Sequence, residues 1–208
     1  MLAPQSSDVV HSCEVEGSTL TFHGTKLCFH GQCLSYDDID SLRVASIDTY
    51  VNGAWVRGHR RIYLRAGPEH LDLDCSGTFP DRQDLNSSFE SVISPIWEFV
   101  GNKMVSRYLT RLASGQPLVI GSVTLDRKGA HVDGSWKFLW WRAKQRFVPW
   151  TDVKIWCDEG TLFVGSKSDL RYRSELEFAK TDNVLVLDKL IREILQVGPE
   201  NAFRAHET

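Results

Sequence analysis

Leu20 to Gly31 reads LTFHGTKLCFHG, and Val123 to Gly134 reads VTLDRKGAHVDG. Each is a short run of alternating apolar residues, a polar turn, a second such run and a closing glycine, with Thr21 over Thr124 and Gly31 over Gly134. Alternation with a period of two is the signature of a strand with one face turned to a core, so each stretch is a small hairpin. The match continues downstream. LSYDDIDSLRV (Leu34 to Val44) lies over VPWTDVKIW (Val148 to Trp156), which sets Tyr36 over Trp150, Asp38 over Asp152 and Ile39 over Val153. Strand-like runs follow in both halves, HRRIYLRAG and HLDLDCSG in the first, GTLFVGSK and SELEFAKT in the second. A unit that repeats its order of features along the chain is a duplicated fold, and its period sets the domain size.

Both halves close on a helix. In DNVLVLDKLIREILQVG, Leu187, Leu190, Ile191 and Ile194 fall at helical spacing, with Asp182 or Asn183 as the N-cap and Gly198 as the stop. In SSFESVISPIWEFV, Phe89, Val92, Ile93, Ile96 and Trp97 draw the same stripe, and Pro95, which lacks an N–H, predicts a kink or a restart. NKMVSRYLTRLASGQ carries the apolar pattern onward as a linking helix. The expected organisation is a flexible N-terminus (1–16), a first domain (17–100), a linker helix (101–116), a second domain (117–198) and a flexible C-terminus (199–208). The fold class is α+β and mainly β: two tandem units of short antiparallel strands, each a small β-barrel or bent sheet closed by a C-terminal α-helix.

The order of elements, and the x-aromatic-x-Asp-hydrophobic pattern of SYDDI and PWTDV, resemble bacterial pleckstrin-homology-like (PH-like) domains, in which a similar segment turns the chain between strands. The resemblance covers residues 17 to 198 as two tandem copies. It implies a scaffold more than a lipid reader. Lipid-binding members of the family place basic residues in the loop between strands one and two, which this reading assigns to HGT and DRKG, where only Arg127 and Lys128 are basic.

Composition excludes several classes. The 208 residues carry a net charge of -3 with 42% hydrophobic and 25% charged residues, an ordinary globular balance with no overall attraction to nucleic acid. No 18-residue apolar run occurs, and the N-terminus has neither a basic region nor an apolar one. A cytoplasmic protein is expected. The five cysteines form no CxxC and are expected to be reduced; Cys28 and Cys33 face one another across a turn at His30-Gly31 with His23 nearby, but at a spacing that matches no common zinc pattern. No metal and no cofactor is expected. HExxH, GxSxG, P-loop and GxGxxG motifs are absent, and the carboxylates of DLD and DDID fit strand faces and turns, so no enzyme is expected.

Subtracting one copy from the other leaves two excesses. Three positions separate Gly31 from Leu34 and fourteen separate Gly134 from Val148, so the second copy carries an 11-residue insertion, WKFLWWRAKQR. Its Trp136, Phe138 and Trp140 alternate with Lys137, Leu139 and Trp141, which suits a strand pairing with RFVPW across a turn at Ala143-Lys144-Gln145. The first copy has RVASIDTYVNGAWVRGHRRIYL where the second has KIWCDEGTLF, with Asn52-Gly53 as a two-residue hairpin turn. Both excesses are aromatic and basic, the composition of an interaction surface. The candidate partner-binding residues are Trp136, Phe138, Trp140, Trp141, Arg142, Lys144 and Arg146 in the insertion, and Tyr50, Trp55, Arg57 and Arg60 in the hairpin. The expected partner is another protein. Packing of the same aromatics within the chain, and peripheral binding to anionic lipid headgroups, are the alternatives.

Overall fold

The structure, a computed structural model, describes residues 9–78, 80–133 and 145–207. The chain divides after Lys103 into two compact units. In the first, β1 (Val9–Val15), β2 (Ser18–His23), β3 (Lys26–Phe29) and β4 (Gln32–Ser35) form one antiparallel sheet in chain order, and β5 (Ser41–Val51), β6 (Ala54–Ala66) and β7 (Glu69–Thr78) form another. Helix α1 (Arg82–Ile96) follows and runs through a π-helical turn, Trp97–Gly101, into α2 (Asn102–Ala113). The second unit repeats the plan. β8 (Leu118–Ile120), β9 (Val123–Asp126), β10 (Gly129–Val132) and β11 (Arg146–Pro149) make a four-stranded sheet, and β12 (Val153–Asp158), β13 (Thr161–Ser166) and β14 (Arg173–Glu177) a three-stranded one. Helices α3 (Val184–Val197) and α4 (Pro199–Arg204) close the chain.

The architecture is therefore α+β and mainly sheet, but the expectation of small barrels needs correcting. Among the described residues each unit holds two open sheets and no closed barrel. The break comes where the chain turns between the fourth and fifth strands, at Tyr36 to Asp38 and at Trp150 to Asp152, the two positions that the repeat aligns. These turns are pinned alike. The Tyr36 hydroxyl donates to the His23 carbonyl at 2.7 Å, and the Trp150 indole N–H donates to the Arg127 carbonyl at 3.2 Å. Their backbone N–H groups reach Thr25 O and Lys128 O at 3.0 and 3.2 Å. Both rings are buried, and each is met by a phenylalanine from the closing helix, Phe99 for Tyr36 and Phe203 for Trp150. An aromatic residue with a polar tip suits this position because its ring fills core while its donor satisfies a turn carbonyl that would otherwise be orphaned. Strand register repeats too: Thr21 faces Cys28 and Phe22 faces Leu27, as Thr124 faces His131 and Leu125 faces Ala130.

Both cores are aliphatic. Leu20, Leu34, Ile62, Leu64, Val92 and Ile96 are fully buried in the first unit; Val123, Val132, Leu162, Leu187, Leu190 and Ile191 are fully buried in the second. Pro95 does not restart the helix, since α1 runs on through it to Ile96. The register then slips into the π-helical turn that begins two residues later and ends at Gly101. In the last helical segment Asn183 holds the cap position in a left-handed conformation without a side-chain capping bond, and Gly198, at φ 85°, ends α3 but also opens α4.

Three more expectations change. Val9–Val15 pairs with β2, so the N-terminal segment is not wholly flexible, and α4 orders part of the 199–208 tail around buried Phe203. Because β1 and β8 precede the repeats, the HGT and DRKG turns join strands two and three, not one and two, and the 11-residue excess lies between strands three and four. Finally, Cys28 and Cys33 are not reduced thiols. They sit directly opposite on β3 and β4, with Cα atoms 4.1 Å apart, and form a disulfide. Closing so short a loop limits the chain-entropy gain to about 2 kcal/mol.

Candidate functional site

The β5–β6 hairpin is the first unit's excess, and its tip is built by Asn52-Gly53, both at positive φ (51° and 79°), the geometry that a tight two-residue turn between twisted strands requires. Thr49 pairs with Arg57 and Tyr50 with Trp55, which leaves Val56 as an extra residue, a β-bulge just below the tip. Residues directly opposite share a face, so the pairings sort the hairpin into two sides. Ser46 with Arg60, Asp48 with Gly58 and Tyr50 with Trp55 face one way; Ile47 with His59, Thr49 with Arg57 and Val51 with Ala54 face the other.

The first side is closed by α1. Gly58 and Gly77 lie opposite one another on β6 and β7, and Leu85 of α1 rests on them: a Cβ at Gly58 would stand 2.6 Å from Leu85 Cδ2 and one at Gly77 3.0 Å from Leu85 Cβ. Two glycines side by side make the flat spot that lets a helix approach a sheet. Beside Leu85, the Asp48 carboxylate gathers three donors: Arg60 Nη1 at 2.8 Å, Trp55 Nε1 at 3.1 Å and Arg82 Nη2 at 3.1 Å. Arg60 also reaches Asn86 of α1, and the Arg82 guanidinium stands 5.8 and 5.9 Å from the Tyr50 and Trp55 ring centroids. The hydrogen bond from Arg60, joined by that from Trp55 and by the charges of Arg60 and Arg82, holds the Asp48 carboxyl below the usual aspartate value despite partial burial.

This geometry corrects two of the four hairpin candidates. Trp55 and Arg60 are 8% and 6% exposed, so they anchor the hairpin to α1 rather than meet a partner. Tyr50 and Arg57 are exposed. The residues that composition overlooked are aliphatic: Ile47 and Val51, 55% and 54% exposed, share the outward side with Arg57, and the bulged Val56 is exposed between strands. Counting residues in period two from the Asn-Gly turn would have placed Ile47 and Val51 on one face and Asp48 on the other. On the same outward side Arg61 donates to Asp74 at 3.2 Å and His59 Nδ1 stands 3.5 Å from that carboxylate, whereas Arg57 makes no ion pair among the described residues.

In the second unit, Trp136, Phe138, Trp140, Trp141, Arg142 and Lys144 lie outside the described residues. Arg146 is described and exposed, with its guanidinium 4.0 Å from the centroid of the Tyr172 ring. The strand expected to pair with the insertion, Arg146–Pro149, pairs with β10.

A cleft of about 520 Å³ opens elsewhere in this unit, among the β9–β10 turn, the β11–β12 turn and α4. Its floor holds the buried Trp150 and Phe203; its rim carries Arg127, Lys128, Arg204, Glu200 and Glu207. Arg127 is engaged by the Glu207 carboxylate and by the Ala113 carbonyl. No cluster of residues able to hold a metal ion occurs among the described residues, and the disulfide removes the two thiols that a site near His23 would need. No helix among them is long and apolar enough to cross a membrane. Comparison with protein-family models, curated proteins and solved structures finds no match for this chain.

Proposed function

We propose that this protein is a non-enzymatic protein-binding module, an adaptor or scaffold of two PH-like units, and that the β5–β6 hairpin is its main contact surface. The observation that carries the reading is the outward side of that hairpin. Ile47 and Val51 are more than half exposed beside Arg57, on a hairpin held by the buried Asp48–Arg60 pair and the Leu85 seat. Exposed aliphatic residues on a preorganised support are what protein interfaces use, because little ordering entropy is lost on contact. The PH-like assignment is supported by the plan of each unit, a four-stranded and a three-stranded antiparallel sheet followed by a helix, and by the aromatic lock at the turn between them. A protein partner is favoured over an anionic membrane because Arg61 on the outward side is already paired with Asp74, which leaves Arg57 as the exposed cation beside Ile47 and Val51. Each basic residue near an anionic leaflet contributes about 1 kcal/mol, too little for one to hold the protein there.

The test is an affinity capture from the native cell with the full chain and with an Ile47→Asp/Val51→Asp variant, alongside co-sedimentation with phosphatidylserine vesicles at physiological salt. Both substitutions fall on exposed positions, so thermal stability is expected to stay within about 0.5 kcal/mol of the parent. Loss of specific partners in the variant, with no vesicle binding by either form, is the expected outcome. An identical partner list, or vesicle binding that the variant retains, would remove the hairpin from the proposal.

A further inference from the structure

The two units differ at one structurally matched place, and the difference points to a second binding site. In the first unit the outer side of the aromatic lock is covered from within: Lys103 Nζ stands 5.4 Å from the Tyr36 ring centroid and 2.9 Å from the Asp37 carboxylate, which follows Tyr36 in the turn. In the second unit the residue after Trp150 is Thr151, and the corresponding side of the lock is the cleft described above. Two of its three cations are not consumed internally. Lys128 and Arg204 make no ion pair among the described residues, and Arg127 is met by Glu207 from the chain's own C-terminal tail.

We propose that this cleft binds an acidic, extended segment of a partner protein, with an apolar side chain seated against Pro149, Trp150 and Phe203 and flanking carboxylates on Lys128 and Arg204. Charge and shape both favour that occupant. Lys128 and Arg204 flank an aromatic floor, so a ligand with negative groups on either side of an apolar one meets both cations and the floor, with Glu200 left as the one rim carboxylate that its charges must avoid. About 520 Å³ is room for a few side chains, and the cleft is only partly enclosed, which suits side chains of a continuous chain better than a free small molecule that must be enclosed to bind. Glu207 occupies Arg127 as a carboxylate of this chain, and a carboxylate of the partner takes its place on the guanidinium. The tail thus competes with the ligand for one of three cations.

The competition gives the proposal a sign that a nonspecific basic patch would lack. The full chain is titrated with the blocked peptide Ac-EFELE-amide, its neutral counterpart Ac-QFQLQ-amide and inorganic phosphate, following the backbone amide resonances of Lys128, Thr151 and Arg204. The acidic peptide is expected to shift these saturably, and the other two probes are not. Lys128→Glu/Arg204→Glu is expected to weaken binding by roughly tenfold or more, and Glu207→Gln to strengthen it, each with an unchanged melting temperature. Equal shifts with the neutral peptide would overturn the charge argument, and equal shifts with phosphate would make this a free-anion site. Weaker binding in Glu207→Gln would mean that the tail helps to build the cleft instead of competing for it, and the proposal would fail.

Discussion

Asp48 accepts hydrogen bonds from three side chains, two of them cationic, and two of the three donors come from its own hairpin. Its carboxyl is held below the ordinary aspartate value, so the sign of its contribution is fixed: stability from this group is present above about pH 4 and is lost as pH falls through the lowered folded value. Acid unfolding followed by far-UV circular dichroism is therefore expected to move to higher pH when Arg82 is replaced by Met, since that removes one of the charges that lowers the group. Arg60→Ala is the harsher change. It removes the strongest partner of a partly buried carboxylate together with the buried Arg60 side chain that packs under α1, and denaturant unfolding at neutral pH is expected to show a loss of about 2 kcal/mol. A loss below about 1 kcal/mol would mean that Arg82 alone suffices to hold Asp48, and the anchoring role assigned to Arg60 would be wrong.

At the scale of elements, the seat of α1 on β6 and β7 depends on what Gly58 and Gly77 lack. Gly58→Val would drive a branched side chain into Leu85, Asp48 and Trp55 together, and a cost of about 2–3 kcal/mol with a lower melting temperature is expected. The same substitution at Gly160, whose Cβ position is open, would report only backbone strain at its φ of 75°. The strands and helices of each unit were largely legible because their pattern is periodic: alternation in β2, β3, β9 and β10, and the stripe of Leu187, Leu190, Ile191 and Ile194. The elements missed were the ones without a period to read. β8 has three residues, too few to alternate, and β1 is an edge strand exposed along most of its length, so its sequence carries no core face. The site was half legible. Composition drew attention to Trp55 and Arg60 because aromatic and basic residues resemble interface residues, but the tight Asn52-Gly53 turn fixes which face they share with Asp48, and that face belongs to α1. The Cys28–Cys33 bridge was visible as a proximity and misjudged as chemistry, since position across a hairpin does not report oxidation state.

For the whole molecule, duplication explains why comparison of the halves was more informative than any motif. The aromatic lock, the strand register and the closing phenylalanine recur in both units, so each departure from the pattern marks a place where one copy does something the other does not: the long hairpin in the first, the open cleft and the insertion in the second. The two proposed surfaces lie in different units, so Ile47→Asp/Val51→Asp and Lys128→Glu/Arg204→Glu are expected to be independent, with partner capture and acidic-peptide binding each lost in only one of the pair. The tip of the hairpin also gives the molecule a chemical age. Asn52 is followed by Gly53, whose bare backbone nitrogen is free to attack the asparagine side-chain amide, expel ammonia and leave aspartate or isoaspartate after hydrolysis. Such a change writes a new negative charge, and in the isoaspartate form an extra main-chain carbon, between Val51 and Ala54 beside the exposed Ile47 and Val51. Old and new copies of the protein would then differ at the edge of the proposed contact surface, with no enzyme needed to make the distinction.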